Sequence, residues 1–168
     1  MGADLYIRDM DKTKQITGFE VSWKAVKSGY FRDCYNDWGL FNFFRSNTGK
    51  EYSWWQFQKN KEWFAKLKDA DGDEEDMMTP KGAELFLKII DDARHIIEKK
   101  KKLIMLIVNF EETELLRKAG KIKDVAEWVR TEKVLTKKEA KEYKDWMYML
   151  IMFLQLAIEL QSPIIWSV

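Results

Sequence analysis

The chain has 168 residues, 46% of them apolar and 34% charged. That is enough apolar material for a single domain with a full core, and it excludes a disordered chain. Lys plus Arg number 29 against 28 Asp plus Glu, a net charge of +1, which excludes the basic excess of a dedicated duplex nucleic-acid binder.

Residues 3 to 8, ADLYIR, alternate weakly and read as a short extended segment. Thr17-Gly18-Phe19-Glu20 has capping-box spacing and opens a short helix with Phe19, Trp23 and Val26 on one side. Gly29 ends that helix, since glycine enters the left-handed region without strain. Residues 37 to 45 are predicted as a compact aromatic helix capped by Asn36, and SNTGK (46 to 50) as a turn. Ser53-Trp54-Trp55-Gln56 repeats the capping-box pattern, with a helix to about Lys68 that turns Trp55, Trp63, Phe64 and Leu67 to the core. DADGDEED, residues 69 to 76, reads as an exposed acidic loop.

Thr79-Pro80 is a strong helix start. Phe86, Ile89, Ile90, Ala93, Ile96 and Ile97 then form one apolar stripe. The stripe breaks at Lys99–Lys102 and resumes at Leu103, Ile104, Ile107 and Val108, which fits one bent helix or two joined ones. Residues 112 to 119 are helical by propensity and stop at Gly120; a short helix is predicted over about 122 to 130, around Val125, Trp128 and Val129. Thr136-Lys137-Lys138-Glu139 is a further capping box, opening a last helix over 137 to 160. Its run Trp146–Leu154 is too short and too closely preceded by charge to span a membrane. The tail PIIWSV reads as a strand. The expected fold is mainly α: a single-domain helical bundle over residues 1 to 168, with a minor two-stranded β-ladder made by the N- and C-terminal segments.

The chemistry concentrates between Gly29 and Phe57, which hold eleven aromatic residues interleaved with Arg32, Asp33, Asn36, Asp37 and Arg45. Rings with a few polar groups make either a buried network or a ligand pocket. Tyr30, Arg32, Asp33, Tyr35, Asn36, Trp54 and Trp55 are the candidate binding residues. Cys34 is the single cysteine, so no internal disulfide forms, and His95 is the only imidazole that would serve it as a base. One histidine and one cysteine give zinc almost no ligands, and Asp69, Asp71 and Asp73 fail the calcium-loop register, which requires Gly at Glu74 and Glu at Pro80. No metal and no cofactor is therefore implied, and no glycine-rich phosphate loop or serine elbow occurs. Lys99–Lys102, with Lys118, Lys121 and Lys123, form a candidate basic patch.

The opening MGADLYI, the block GYFRDCYND, the Ser53-Trp54-Trp55 triplet, the Thr79-Pro80 helix start and the ending AIELQSPIIWSV resemble an uncharacterised family of short bacterial and bacteriophage proteins. Its members open with MGAD and a tyrosine, carry a YFRD-S-YN block and close on a PI-x-SL tail. Here Cys34 stands where that family has serine, and Asp37-Trp38-Gly39 where its continuation is more aliphatic. The resemblance implies a prokaryotic or phage cytoplasmic setting and carries no activity with it.

With no assembled catalytic set, the chain reads first as a non-enzymatic protein-interaction module, binding itself or another protein through residues 30–37 and 52–57. The alternative is a small-molecule-binding protein or unusual enzyme using Tyr30, Arg32, Asp33 and Tyr35. Nucleic-acid binding through the lysines and exposed tryptophans ranks last, and no membrane partner is expected. The acidic opening MGADLYIRDMDK likewise lacks the basic-then-apolar order of a signal peptide.

Overall fold

The computed structural model describes residues 2–10, 22–122 and 128–167. In chain order they form β1 (Gly2–Ile7), α1 (Trp23–Lys27), β2 (Tyr30–Cys34), α2 (Leu40–Thr48), α3 (Trp54–Gln58), β3 (Phe64–Lys68), β4 (Glu74–Met78), α4 (Pro80–Glu98), β5 (Ile104–Val108), α5 (Phe110–Lys118), β6 (Arg130–Val134), α6 (Lys137–Glu159) and β7 (Ile164–Ser167). A 3₁₀ turn, Lys61–Trp63, leads into β3. A five-stranded sheet runs β2-β1-β7-β4-β3, every described pairing antiparallel, and β5 pairs with β6 in a separate two-stranded sheet. The fold is α+β, which corrects the expected helical bundle. The terminal segments do pair, with Leu5 opposite Trp166, but as the middle of a sheet and not as an isolated ladder.

Each correction has a local cause. YFRDC pairs with β1 along its whole length and turns successive side chains to opposite faces of the sheet. The helix expected to reach Lys68 ends at Gln58, because FAKLK pairs with EEDMM. That register sets Lys66 opposite Asp76 and Lys68 opposite Glu74, and opposite charges across a ladder are favourable. The acidic stretch is therefore a hairpin: Asp69 Oδ1 accepts from the Asp71 and Asp73 amides, and Gly72 takes the left-handed turn at φ 85°. Trp55, expected in the core, is 56% exposed, while its neighbour Trp54 is buried. The apolar run after Lys102 is a strand, not a continued helix; Ile, Met, Leu and Val in succession suit a pleated surface. Residues 128 and 129 are not helical and lead into β6, while Val125 lies outside the described residues. So does the Thr17–Glu20 capping box; Ser22 caps α1 instead. Two other predicted caps are present, Thr79 on the Gly82 amide and the Thr136/Glu139 box on α6.

The sheet turns Ala3, Leu5, Ile7, Phe31, Ile164 and Trp166 toward α4 and α6. Phe41, Trp54, Phe57, Trp63, Phe86 and Trp166 form a continuous cluster of rings, with Phe41 stacked on Trp54 at 4.0 Å. Burying one such side chain contributes roughly 1.5–3 kcal/mol. These rings fix the position of α2 and α3, and with them the walls of the site.

Candidate functional site

The alternation of β2 divides the candidate residues. Tyr30 and Arg32 lie on one side of the strand and meet Asp4 on β1, where the Tyr30 hydroxyl donates to Asp4 Oδ1 (2.5 Å) and Arg32 Nη1 lies 3.1 Å from the same oxygen. Burial, then the Asp4 carboxylate, pushes the Tyr30 phenol up to about 12. This trio is a structural network on the sheet.

Asp33 points the other way and is 1% exposed. Its carboxylate accepts from the Leu40 amide at the start of α2 (2.8 Å) and from the Trp54 indole N–H (2.6 Å). Gly39, at the cap position, has no side chain to satisfy that amide, so a residue seven positions from Leu40 does it. Asn36, the predicted cap, instead accepts from the Trp38 amide in an Asx turn. The chain must fold back sharply for this. A Cβ on Gly39 would stand 2.2 Å from the Cys34 carbonyl oxygen. Gly39→Ala is expected to lose about 1–3 kcal/mol through this overpacking, read by urea unfolding, with a change in Trp54 emission because Asp33 shifts.

Tyr35, Asn36, Trp54 and Trp55 do come together. With Cys34, Phe41, Asn42, Arg45, Tyr52 and Ser53 they line a cleft of about 150 Å³ between the β2–α2 loop and the start of α3. Helix α6 holds both the loop and the strand before it: Tyr143 donates to the Trp38 carbonyl (2.7 Å) and the Trp146 indole to the Arg32 carbonyl in β2 (3.1 Å). Within the cleft the Arg45 guanidinium donates to Asn42 Oδ1 (2.7 Å), and the Asn42 amide is itself fixed by the Asp37 and Leu106 carbonyls. Among the described residues no carboxylate oxygen lies within 4 Å of Arg45. The Tyr35 hydroxyl is buried without a hydrogen-bond partner among the described residues. Trp55 forms an outer lip, 6.0 Å from the Tyr35 ring, and borders a larger groove of about 630 Å³ shared with Phe64 and Ala65.

Asn42 was not singled out in the sequence, and Arg45, noted there among the polar residues between the rings, was not among the candidate binding residues. Their signal was present as two polar residues three apart in the otherwise ring-rich helix LFNFFRSNT, a spacing that puts both on one face.

Cys34 is half-buried and donates to Asn36 Oδ1 (3.2 Å). Burial and the neighbouring Asp33 push its thiol up, away from the thiolate a nucleophile needs. His95 is on α4 beside Asp91 and does not line the cleft. Among the described residues no three ligating side chains are grouped to hold a metal, and no helix is long and apolar enough to cross a membrane. Lys100, Lys101 and Lys102 join Lys137, Lys141 and Lys144 around another cleft of about 420 Å³, which has among its described lining residues no aromatic ring on which a base would stack. Lys118 and Lys121 do not line it, and Lys123 lies outside the described residues.

Comparison with protein-family models, with curated proteins and with solved structures finds no match to this chain.

Proposed function

We propose that the cleft binds a small ligand consisting of one flat apolar ring and an anionic group. The observation that carries this reading is Arg45, a guanidinium held in place by Asn42 among Tyr35, Phe41, Tyr52, Trp54 and Trp55, with no acidic partner among the described residues. Fixed arginine forks favour carboxylate and phosphate oxygens, and aromatic walls favour a flat body. The volume of about 150 Å³ matches a cavity that accommodates about one benzene ring. The raised Cys34 thiol and the sealed Asp33 favour binding over catalysis.

Titration with benzoate and phenyl phosphate, followed by tryptophan emission, tests it against neutral benzamide. Both anions should bind and quench, roughly tenfold or more tighter than benzamide, as a charge-assisted hydrogen bond implies. Arg45→Ala should erase that preference, and Trp55→Ala should weaken all three probes. Equal affinity for benzoate and benzamide, or an Arg45→Ala protein that keeps the preference, would show the reading to be wrong.

A second reading, as a protein-interaction module, is favoured by a different region. Phe110 and Leu115 on α5 are 66% and 63% exposed, on the excursion from β5 to β6. Large apolar side chains grouped on a surface mark contact sites.

A further inference from the structure

We infer that the chain associates with a second copy of itself through the open edge of β6, in one defined antiparallel register. The ladder geometry leaves that edge free. Leu135 donates to the Leu103 carbonyl and Asn109 to the Val129 carbonyl, so the odd-numbered residues of β5 and β6 exchange the ladder's hydrogen bonds. The even-numbered amides of β5, at Ile104, Leu106 and Val108, turn away from β6 and are taken up by α2 and its loop. By the same parity the amides and carbonyls of Arg130, Glu132 and Val134 point outward from β6. They have no hydrogen-bond partner among the described residues, and every residue of the strand is exposed. No proline or bulge interrupts it. An edge of this kind is a template for another strand.

The sequence of that edge is complementary to itself. Two antiparallel copies related by a two-fold axis at Thr131 place Arg130 opposite Glu132 of the other copy, twice. The same register sets Thr131 opposite Thr131, and Trp128 opposite Val134, again twice. Opposite charges, paired threonines and aromatic–β-branched pairs are the three favourable classes across strands. Shifting the axis to Glu132 opposes two glutamates, and shifting it to Arg130 opposes two arginines, so charge selects one register. Glu132 already meets Lys102 at 3.5 Å, but in an exposed pair of little strength that the new partner readily replaces. Arg130 has no ion pair among the described residues. A two-fold strand pairing closes on itself and stops at a dimer.

The test is sedimentation over a concentration series, with Arg130→Glu, Glu132→Arg and the double exchange. Each single reversal turns two attractive pairs into two repulsive ones and should weaken the dimer roughly tenfold or more; the double exchange should restore it. In a Cys34→Ser background, Thr131→Cys should oxidise to a covalent dimer, because that position faces itself as a non-hydrogen-bonded pair with Cα atoms about 4.5 Å apart. Arg130→Cys, facing Glu132, should not. Glu132→Pro removes an outward amide without touching the β5 ladder and should leave a folded monomer. A protein that stays monomeric throughout the series overturns the inference. So does a dimer that is indifferent to the charge exchange and that fails to cross-link through position 131.

Discussion

Asp33→Ala should cost about 3–5 kcal/mol of folding free energy, although the residue is only 1% exposed. Its loss strands two buried donors, the Leu40 amide and the Trp54 indole, at about 1–3 kcal/mol each, and removes the side chain that caps the start of α2. The effect has a pH signature of a definite sign. Burial is the largest influence on this carboxyl and pushes it up to about 6, against the opposing pull of its N–H donors. In the unfolded chain it titrates near 4. Between those values the folded state holds a proton that the unfolded state has released, so the contribution of Asp33 is full below about pH 4 and is lost as pH rises through about 6. A gap of about two pH units is worth about 3 kcal/mol. Asp33→Asn does not titrate, so the stability of the natural protein relative to it should fall by about that amount over this window. Carboxylates that surface arginines hold low, Asp9 and Asp91 among them, move stability in the opposite direction but are common to both proteins and cancel. Urea unfolding of both proteins across the window is the measurement. A flat difference would mean that Asp33 ionises as freely in the fold as out of it.

How much of this was legible in the sequence depends on whether the pattern was local. Caps at Thr79 and Thr136, the stop at Gly29 and the stripe of α4 are written within a few residues, and they are where the residues indicated. Pairing of the chain termini was readable because both segments are β-branched or alternating. The remaining strands were not, because their partners settle them: FAKLK has the propensity of a helix until EEDMM supplies opposite charges across from its lysines. The site suffered most from YFRDC. Taken as a patch, Arg32 and Asp33 look like one polar group; as a strand they face opposite ways, Arg32 to Asp4 and Asp33 into the core. Tyr35, Asn36, Trp54 and Trp55 follow the strand or lie on α3 and do converge, with Arg45 completing the set. SNTGK, expected as a turn, hides the residues that bind β5, since Ser46 and Asn47 belong to the last turns of α2 and only Gly49 turns the chain.

Those residues carry the second large effect. Asn47→Ala should destabilise the protein by about 2–4 kcal/mol. Asn47 is 1% exposed, and its amide does what a neighbouring strand would do: Oδ1 accepts from the Ile104 N–H (3.0 Å) while Nδ2 donates to the Ile104 carbonyl (2.9 Å) and to Phe43 (2.8 Å). Ser46 accepts from Leu106, Asn42 donates to the Leu106 carbonyl, and Asp37 accepts from Val108. One helix face and its preceding loop thus replace a whole missing strand along β5, residue by residue. Removing the Asn47 amide leaves both polar groups of Ile104 without a partner, at about 1–3 kcal/mol each. Asn47→Asp should be worse than alanine, because it keeps the acceptor but points a second oxygen at two carbonyls in a buried setting. Amide hydrogen exchange separates this from general softening. Ile104, Leu106 and Val108 should lose protection in Asn47→Ala, in that order, while Met105 and Ile107, which pair with β6, keep theirs. Equal loss at odd and even positions would mean that α2 does not hold this edge and that the β5–β6 ladder stands or falls as a unit.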